Sequence, residues 1–269
     1  MRLVDVGRGI PIVLVPGIQG RWEWMKPAVD AMARHCRVIT FSLADEPTAQ
    51  GRFEPARGFD SYVDQIGDAL DAAGLTSAVI CGVSYGGLVA SAFAARHPAR
   101  VSALVLVSAI PPDWQPDSRV RFYLRAPWLF SPLFFIASLR LYREIAAASA
   151  GVLSGISMAS RHAVNVVTHM LSPGRMARRV RLLDRVRPQR EIANVRAPVL
   201  IITGDAELDR VVPVAATRRY LELWPHAKAV TLSRTGHLGL ITRPDVFAGL
   251  VVGFAERAAL PDRMRRQIG

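Results

Sequence analysis

The chain has 269 residues, of which 51% are apolar and 21% are charged. This length and composition exclude a disulfide-stapled miniprotein and a disordered chain, because enough apolar surface is available to bury a sizeable core. The net charge of +12 is concentrated between Pro111 and Arg190, where thirteen arginines and four acidic residues contribute +9. This bias is typical of GC-rich coding, and it would also suit an anionic substrate or surface.

Short apolar runs without alternation recur along the chain and predict strands that are buried on both faces. In chain order they span residues 12–15, 37–41, 78–81, 103–107, 199–202 and 229–232, after a short N-terminal strand at 2–6. Helical patterns occupy residues 24–34, 60–73, 85–96, 214–223 and 245–257. This alternation predicts an α/β fold: one large domain with a mostly parallel open sheet and helices on both faces.

The alternation of strand and helix stops at Ser108 and resumes at Pro198. A connection of this length is unusual as bare loop, so we expect an inserted helical subdomain. The chain then divides into a first core segment at residues 1–110, the insertion at 111–190 and a second core segment at 191–269. The insertion carries aromatic side chains that either line an apolar pocket or pack the subdomain. They include Trp114, Phe122, Tyr123, Trp128 and Phe135.

The two cysteines, Cys36 and Cys81, lie in apolar runs that read as strands, and we expect both to be reduced core residues. Because charges interrupt the N-terminus, no secretory signal is predicted and a cytoplasmic location follows. The most apolar segment, 126–160, is broken by charged residues and is not expected to span a membrane. These residues are Arg140, Arg143 and Glu144. Peripheral membrane contact through the arginine-rich insertion stays open.

A G-x-S-x-G motif, Gly82-Val83-Ser84-Tyr85-Gly86, joins a predicted strand to a predicted helix. Such a turn lifts a serine hydroxyl clear of the sheet, so Ser84 is the candidate nucleophile. The alternative is a tight glycine turn in which Ser84 is only the N-cap of the helix.

A serine nucleophile needs a base, and the base needs an orienting acid. His237 lies in a glycine-containing loop just after the last predicted strand, where a base that serves the turn would be expected. For the acid, Asp209 is preferred because it lies on the loop after the strand at 199–202. Asp205 and then Asp113 are the alternatives. The other histidines fit less well: His35, His97, His162, His169 and His226.

Stabilising an oxyanion takes two preorganised N–H donors. The residue after the nucleophile, Tyr85, supplies one, and Ile18 in the turn Pro16-Gly17-Ile18-Gln19-Gly20 is the candidate for the other. An ordinary glycine turn ahead of the first helix is the alternative explanation for this segment.

These four ordered motifs resemble the α/β-hydrolase fold family, in its esterase-like branch with a helical lid. The resemblance covers nearly the whole chain outside the insertion. It implies Ser84 as nucleophile, Asp209 as acid, His237 as base, Ile18 and Tyr85 as oxyanion donors, and a lid at 111–190. Two departures are evident: Pro16 replaces the usual histidine before the oxyanion glycine, and the leading hairpin is reduced to about one strand.

A serine at the turn disfavours relatives with an aspartate there, such as haloalkane dehalogenases and epoxide hydrolases. The expected activity is a carboxylesterase-like serine hydrolase that acts on a small, apolar or aromatic substrate through an acyl-enzyme, without metal or organic cofactor. Alternatives are an acyltransferase, a lactonase or a carbon–carbon bond hydrolase on the same triad. A non-catalytic ligand-binding protein is a further reading, and no nucleic-acid partner is expected.

Overall fold

A computed structural model of the chain describes residues 1–129, 144, 147, 172–186 and 188–260. Within these residues seven strands form one sheet: β1 Val4–Val6, β2 Pro11–Val15, β3 Arg37–Thr40, β4 Ala78–Val83, β5 Val101–Val107, β6 Val199–Thr203 and β7 Lys228–Thr231. Their order is β1-β3-β2-β4-β5-β6-β7, and β1 pairs antiparallel with β3 while the other pairings are parallel. The predicted mostly parallel sheet is confirmed.

Helices cover both faces of the sheet. The α-helices of the described part are α1 Lys26–Met32, α2 Asp60–Ala72, α3 Tyr85–Arg96, α4 Ser118–Arg125, α5 Pro173–Arg185, α6 Gln189–Ile192, α7 Val214–Arg218, α8 Tyr220–Leu223, α9 Gly239–Thr242 and α10 Pro244–Ala259. Successive strand residues point to opposite faces. Val13 and Val15 of β2 therefore join the apolar core that includes α2 and α3, whereas Ile12 and Leu14 join the core that includes α1 and α10.

Several predicted boundaries were wrong by a few residues. The helix expected at 24–34 begins as a 3-10 turn at Trp22–Met25 and becomes α-helical at Lys26, next to Pro27 in its first turn. The helix expected at 214–223 is divided into α7 and α8 at Arg219.

The cysteines are both free and buried, as expected, but only Cys81 lies in a strand. Cys36 lies in the bend before β3, which begins one residue later, where Arg37 pairs with Pro11 of β2. The Cys36 thiol donates a hydrogen bond to the carbonyl of Met32 at 3.2 Å. The thiol is therefore tied to the end of α1 rather than to the sheet.

The connection from β5 to β6 carries α4, α5 and α6, and most of 126–160, with Phe135 and the central arginines, lies outside the described residues. Of its described aromatic side chains, Trp114 packs against the sheet core, while Phe122, Tyr123 and Trp128 are exposed. No helix in the described ranges is long and apolar enough to cross a membrane.

Candidate active site

The turn after β4 holds Ser84 in a strained backbone conformation, with φ 53° and ψ −116°. A residue with a Cβ rarely adopts such a positive φ. The Ser84 N–H donates to the carbonyl of Val107 in β5 at 2.9 Å, and the Ser84 carbonyl accepts the N–H of Gly87 at 3.0 Å. Although Ser84 occupies the N-cap position of α3, its side chain makes no capping hydrogen bond. Ser84 therefore lies in a strained strand-to-helix turn and does not cap the helix through its side chain.

The turn that contains Ile18 packs directly against the Ser84 turn. A Cβ atom at Gly86 would collide with the carbonyl oxygen of Pro16, and a Cβ atom at Gly17 would lie 3.5 Å from Ser84 Cβ. At position 86 only glycine permits this approach, whereas at position 17 the distance is an ordinary van der Waals contact. Tyr85 begins α3, so its N–H has no acceptor one helical turn earlier. The two candidate oxyanion donors thus belong to segments in mutual contact beside Ser84.

Asp209 and His237 form a buried pair, with exposed fractions of 4% and 7%. His237 Nδ1 lies 3.4 Å from Asp209 Oδ2, and Asp209 Oδ1 accepts the N–H groups of Val211 at 3.1 Å and Val212 at 2.9 Å. Burial by itself raises the pKa of Asp209, but the hydrogen bonds from His237 and these two N–H groups outweigh it and hold that pKa below its ordinary value. The carboxylate is therefore available to orient the imidazole.

The loops that carry Asp209 and His237 are joined to each other. The N–H of Asp205 donates to the carbonyl of Thr235 at 2.7 Å, and the N–H of Arg234 donates to Asp205 Oδ2 at 2.7 Å. A Cβ atom at Gly236 would lie 2.5 Å from the carbonyl oxygen of Leu208, so these loops approach as closely as a glycine allows. Asp205 thus braces the loop that carries His237.

Ser84 and His237 both lie at the carboxyl edge of the sheet. Val107, the hydrogen-bond partner of Ser84, lines a small cavity together with Ser108 and His237. Among the described residues no hydrogen bond joins Ser84 to His237. The structure thus brings the candidate base and acid together and places the candidate nucleophile at the same edge of the sheet.

The alternative residues have other partners. Asp113 Oδ2 accepts a hydrogen bond from Arg219 Nη2 at 2.5 Å. The His97 ring lies against Phe93, with 4.8 Å between ring centroids, and His226 Nε2 lies 3.2 Å from the carbonyl of Ala197. His162 and His169 lie outside the described residues. Over the part of the chain that the structure describes, no three His, Cys, Asp or Glu side chains cluster as metal ligands.

A second carboxylate, missed in the sequence analysis, reaches the loop of His237 from the insertion. Glu144 is fully buried, and its Oε1 accepts the N–H of Leu238 at 2.7 Å. Burial raises the pKa of Glu144 to about 7, although the N–H groups of Gly236 and Leu238 act in the opposite direction. Its Oε2 is buried and has no hydrogen-bond partner among the described residues. The available signal was a carboxylate within the apolar segment, which we used only to exclude a membrane span.

Comparisons with known proteins agree with this architecture. A 2-hydroxy-6-oxo-2,4-heptadienoate hydrolase of Pseudomonas putida is 27% identical over 260 residues, which cover 94% of this chain and 91% of the relative. A pimeloyl-(acyl-carrier protein) methyl ester esterase of Yersinia enterocolitica is 29% identical over 191 residues, which cover 67% of this chain and 70% of the relative. An esterase structure from Exiguobacterium antarcticum matches with a TM-score of 0.78 at 15% identity, over 94% of each chain. The profile of the alpha/beta hydrolase family matches residues 12–250, and the chain belongs to that family.

Proposed function

We propose that this protein is a serine hydrolase that cleaves an ester or related acyl bond of a small, apolar or aromatic substrate. Ser84 is the nucleophile, His237 the base, Asp209 the acid, and the N–H groups of Ile18 and Tyr85 the oxyanion donors. The observation that carries the proposal is the strained turn at Ser84, which shares one sheet edge with the buried pair of Asp209 and His237. A strained serine beside an oriented imidazole suits nucleophilic acyl transfer.

In the proposed mechanism, His237 Nε2 takes the hydroxyl proton as Ser84 Oγ attacks the substrate carbonyl carbon. Asp209 stabilises the resulting imidazolium through Nδ1, and the two N–H groups bind the oxyanion of the tetrahedral intermediate. The imidazolium then protonates the departing alcohol, and water hydrolyses the acyl-enzyme by the reverse sequence. Catalytic hydrogen bonds often tighten only when substrate is bound, so we expect His237 to reach Ser84 in that complex.

A fluorophosphonate probe tests the proposal directly. The native protein should be labelled covalently at Ser84 and should hydrolyse p-nitrophenyl esters, with the best rates for one range of acyl-chain length. Ser84→Ala should abolish labelling and lower kcat by at least about 10⁴-fold, since removing such a nucleophile disables the whole triad. Near-normal turnover by the purified Ser84→Ala protein would overturn the assignment. Ligand binding without any labelling of the native protein would favour the non-catalytic alternative.

Carbon–carbon bond hydrolysis is a second candidate, supported by the Pseudomonas putida relative, which matches nearly the full length of both chains. The same residues would then act on a ketone of a 2-hydroxy-6-oxo-dienoate, a substrate that also carries a carboxylate. Four exposed arginines of α4 and α5 would attract such an anion: Arg119, Arg125, Arg178 and Arg181. A kcat/KM for the dienoate well above that for any p-nitrophenyl ester would favour this candidate.

Salt dependence distinguishes attraction by these arginines from contacts inside the site. If the arginines steer the substrate, added salt should lower kcat/KM for an anionic ester and leave a neutral ester of the same size unaffected. Equal responses of the two esters would show that these arginines do not attract the substrate.

Product analysis with added alcohol separates hydrolysis from acyl transfer. A series of lactone substrates tests the lactonase alternative.

A further inference from the structure

A fully buried guanidinium links α5 to two loops at the carboxyl edge of the sheet. Arg179 has no exposed surface, and its Nη1 donates to the carbonyl of Ile18 at 2.6 Å. Its Nη2 donates to Asp45 Oδ1 at 2.5 Å and to Glu46 Oε1 at 2.6 Å. Asp45 and Glu46 lie on the loop after β3, whereas Ile18 lies on the turn after β2. One cation from a helix of the insertion thus holds both loops.

The charges of this buried cluster are balanced. Glu46 Oε1 also accepts a hydrogen bond from Arg175 Nε at 3.0 Å, so two arginines oppose two carboxylates. A buried ion pair is costly to desolvate and adds little to stability when compared with apolar packing. A geometric role is therefore a better explanation of its place here than stability alone.

The contact with Ile18 bears on the candidate oxyanion donor. The N–H of Gly20 donates to the carbonyl of Gly17 at 2.9 Å, which fixes the peptide plane that also carries the Ile18 N–H. Arg179 fixes the next peptide plane through the Ile18 carbonyl. Gly20 has φ 78°, and a Cβ atom there would collide with the guanidinium. The turn is thus held by its own hydrogen bond on one side and by Arg179 on the other.

We propose that Arg179 is a positioning residue for the oxyanion turn: by holding the peptide plane that follows Ile18, it keeps the turn, and with it the Ile18 N–H, in place from the side opposite to the Gly17–Gly20 hydrogen bond. This inference rests on the proposed function, in which that N–H binds the oxyanion. Because the oxyanion exists only near the transition state, loss of Arg179 should lower kcat and leave KM nearly unchanged. Arg179 touches no reacting atom and acts only through the turn.

Two variants separate positioning from folding. Arg179→Lys keeps the charge but cannot contact Asp45, Glu46 and Ile18 together. The double variant Arg179→Met with Asp45→Asn removes one charge of each sign and leaves Arg175 paired with Glu46. Arg185→Met, on the same helix and exposed, is the matched control. Each protein is assayed with a p-nitrophenyl ester and with a fluorophosphonate, and kcat is expressed per folded molecule from circular dichroism.

We expect kcat to fall about 10- to 100-fold in both Arg179 variants, less than the loss of a whole oxyanion donor, with KM within about 3-fold of the native value. Labelling should slow in parallel, and the Arg185 control should match the native protein. Folded variants with native kcat, or with a raised KM and native kcat, would overturn the inference. Loss of the fold in both variants would also overturn it, because Arg179 would then be a stability element. A native protein that neither labels nor turns over would instead refute the proposed function.

Discussion

The turn at Ser84 and the loop at His237 are held in place by different kinds of interaction. Around Ser84 the main chain supplies the order, through a strained φ, a hydrogen bond to β5 and close glycine packing. Around His237 similar backbone contacts are supplemented by hydrogen bonds to three carboxylates, those of Asp209, Asp205 and Glu144. Backbone geometry does not titrate, whereas contacts made by carboxylates change with pH. Substitutions around Ser84 should therefore mainly lower stability, whereas substitutions around His237 should change activity or the pH dependence of stability.

The largest effect is expected at the acid. Asp209→Asn keeps the shape of the side chain but removes the charge that orients and stabilises the imidazolium, so kcat should fall by about 10⁴-fold. Steady-state kinetics with a p-nitrophenyl ester measure this loss.

Asp205→Asn is the matched control for this variant, because it changes a carboxylate on the same loop that accepts the Arg234 N–H and is not hydrogen-bonded to the His237 imidazole. Its kcat should fall by less than about 10-fold. A loss in Asp205→Asn that equals or exceeds the loss in Asp209→Asn would move the acid to Asp205.

On the main-chain side, Gly86→Ala should destabilise the fold by about 2 to 3 kcal/mol, because its Cβ would meet the backbone of Val15 and Pro16, which cannot rotate away. Urea unfolding measures the change in the free energy of unfolding. Gly249→Ala in α10 is the control: no atom lies within 4 Å of its added Cβ, so helix propensity should stabilise it by about 0.5 to 1 kcal/mol. Native stability in Gly86→Ala would show that the two turns are not in rigid contact.

Around His237, the carboxylate of Glu144 should make the free energy of unfolding depend on pH. Its pKa is raised from an ordinary value of 4.5 to about 7 in the folded protein, so the folded state resists an ionisation that the unfolded chain undergoes. The resulting destabilisation of the folded state is absent below pH 4.5, grows between pH 4.5 and 7, and is constant above pH 7. Glu144→Gln, which still accepts the Leu238 N–H, should therefore stabilise the protein at pH 8, by about 3 kcal/mol, and hardly at all at pH 4.

Thermal or urea unfolding of both proteins across this pH range tests the sign. A stabilisation of the same size at pH 4 and pH 8 would show that the effect does not come from ionisation of Glu144.

Local patterns were enough to predict the sheet. The unbroken apolar runs of β2, β4 and β5 are buried on both faces, which is the condition that produces such runs. The turn at Ser84 could likewise be predicted, because its glycines and serine are adjacent in the chain. Asp209 and His237 were predicted from their places on loops that follow strands, and the parallel pairing of β6 with β7 brings those loops to one edge.

Contacts between segments that are distant in the chain could not be predicted in this way. From the insertion, Glu144 contacts Leu238 and Arg179 contacts Ile18 and Asp45. Hydrophobic periodicity along the chain carries no information about such long-range contacts. Arg179 was one of thirteen arginines that we counted together as charge, although its burial sets it apart from exposed neighbours such as Arg178. Helix ends were also misplaced where irregular turns interrupt an otherwise helical pattern, as at Arg219.

The backbone at Ser84 has a further consequence for how this protein would evolve in the laboratory. Glycine would adopt this conformation more easily than serine does, so stability favours glycine at this position whereas the proposed catalysis requires serine. A selection for heat tolerance that ignored catalysis would be drawn to Ser84→Gly. Engineering for thermal stability should therefore keep serine at position 84 and substitute other positions.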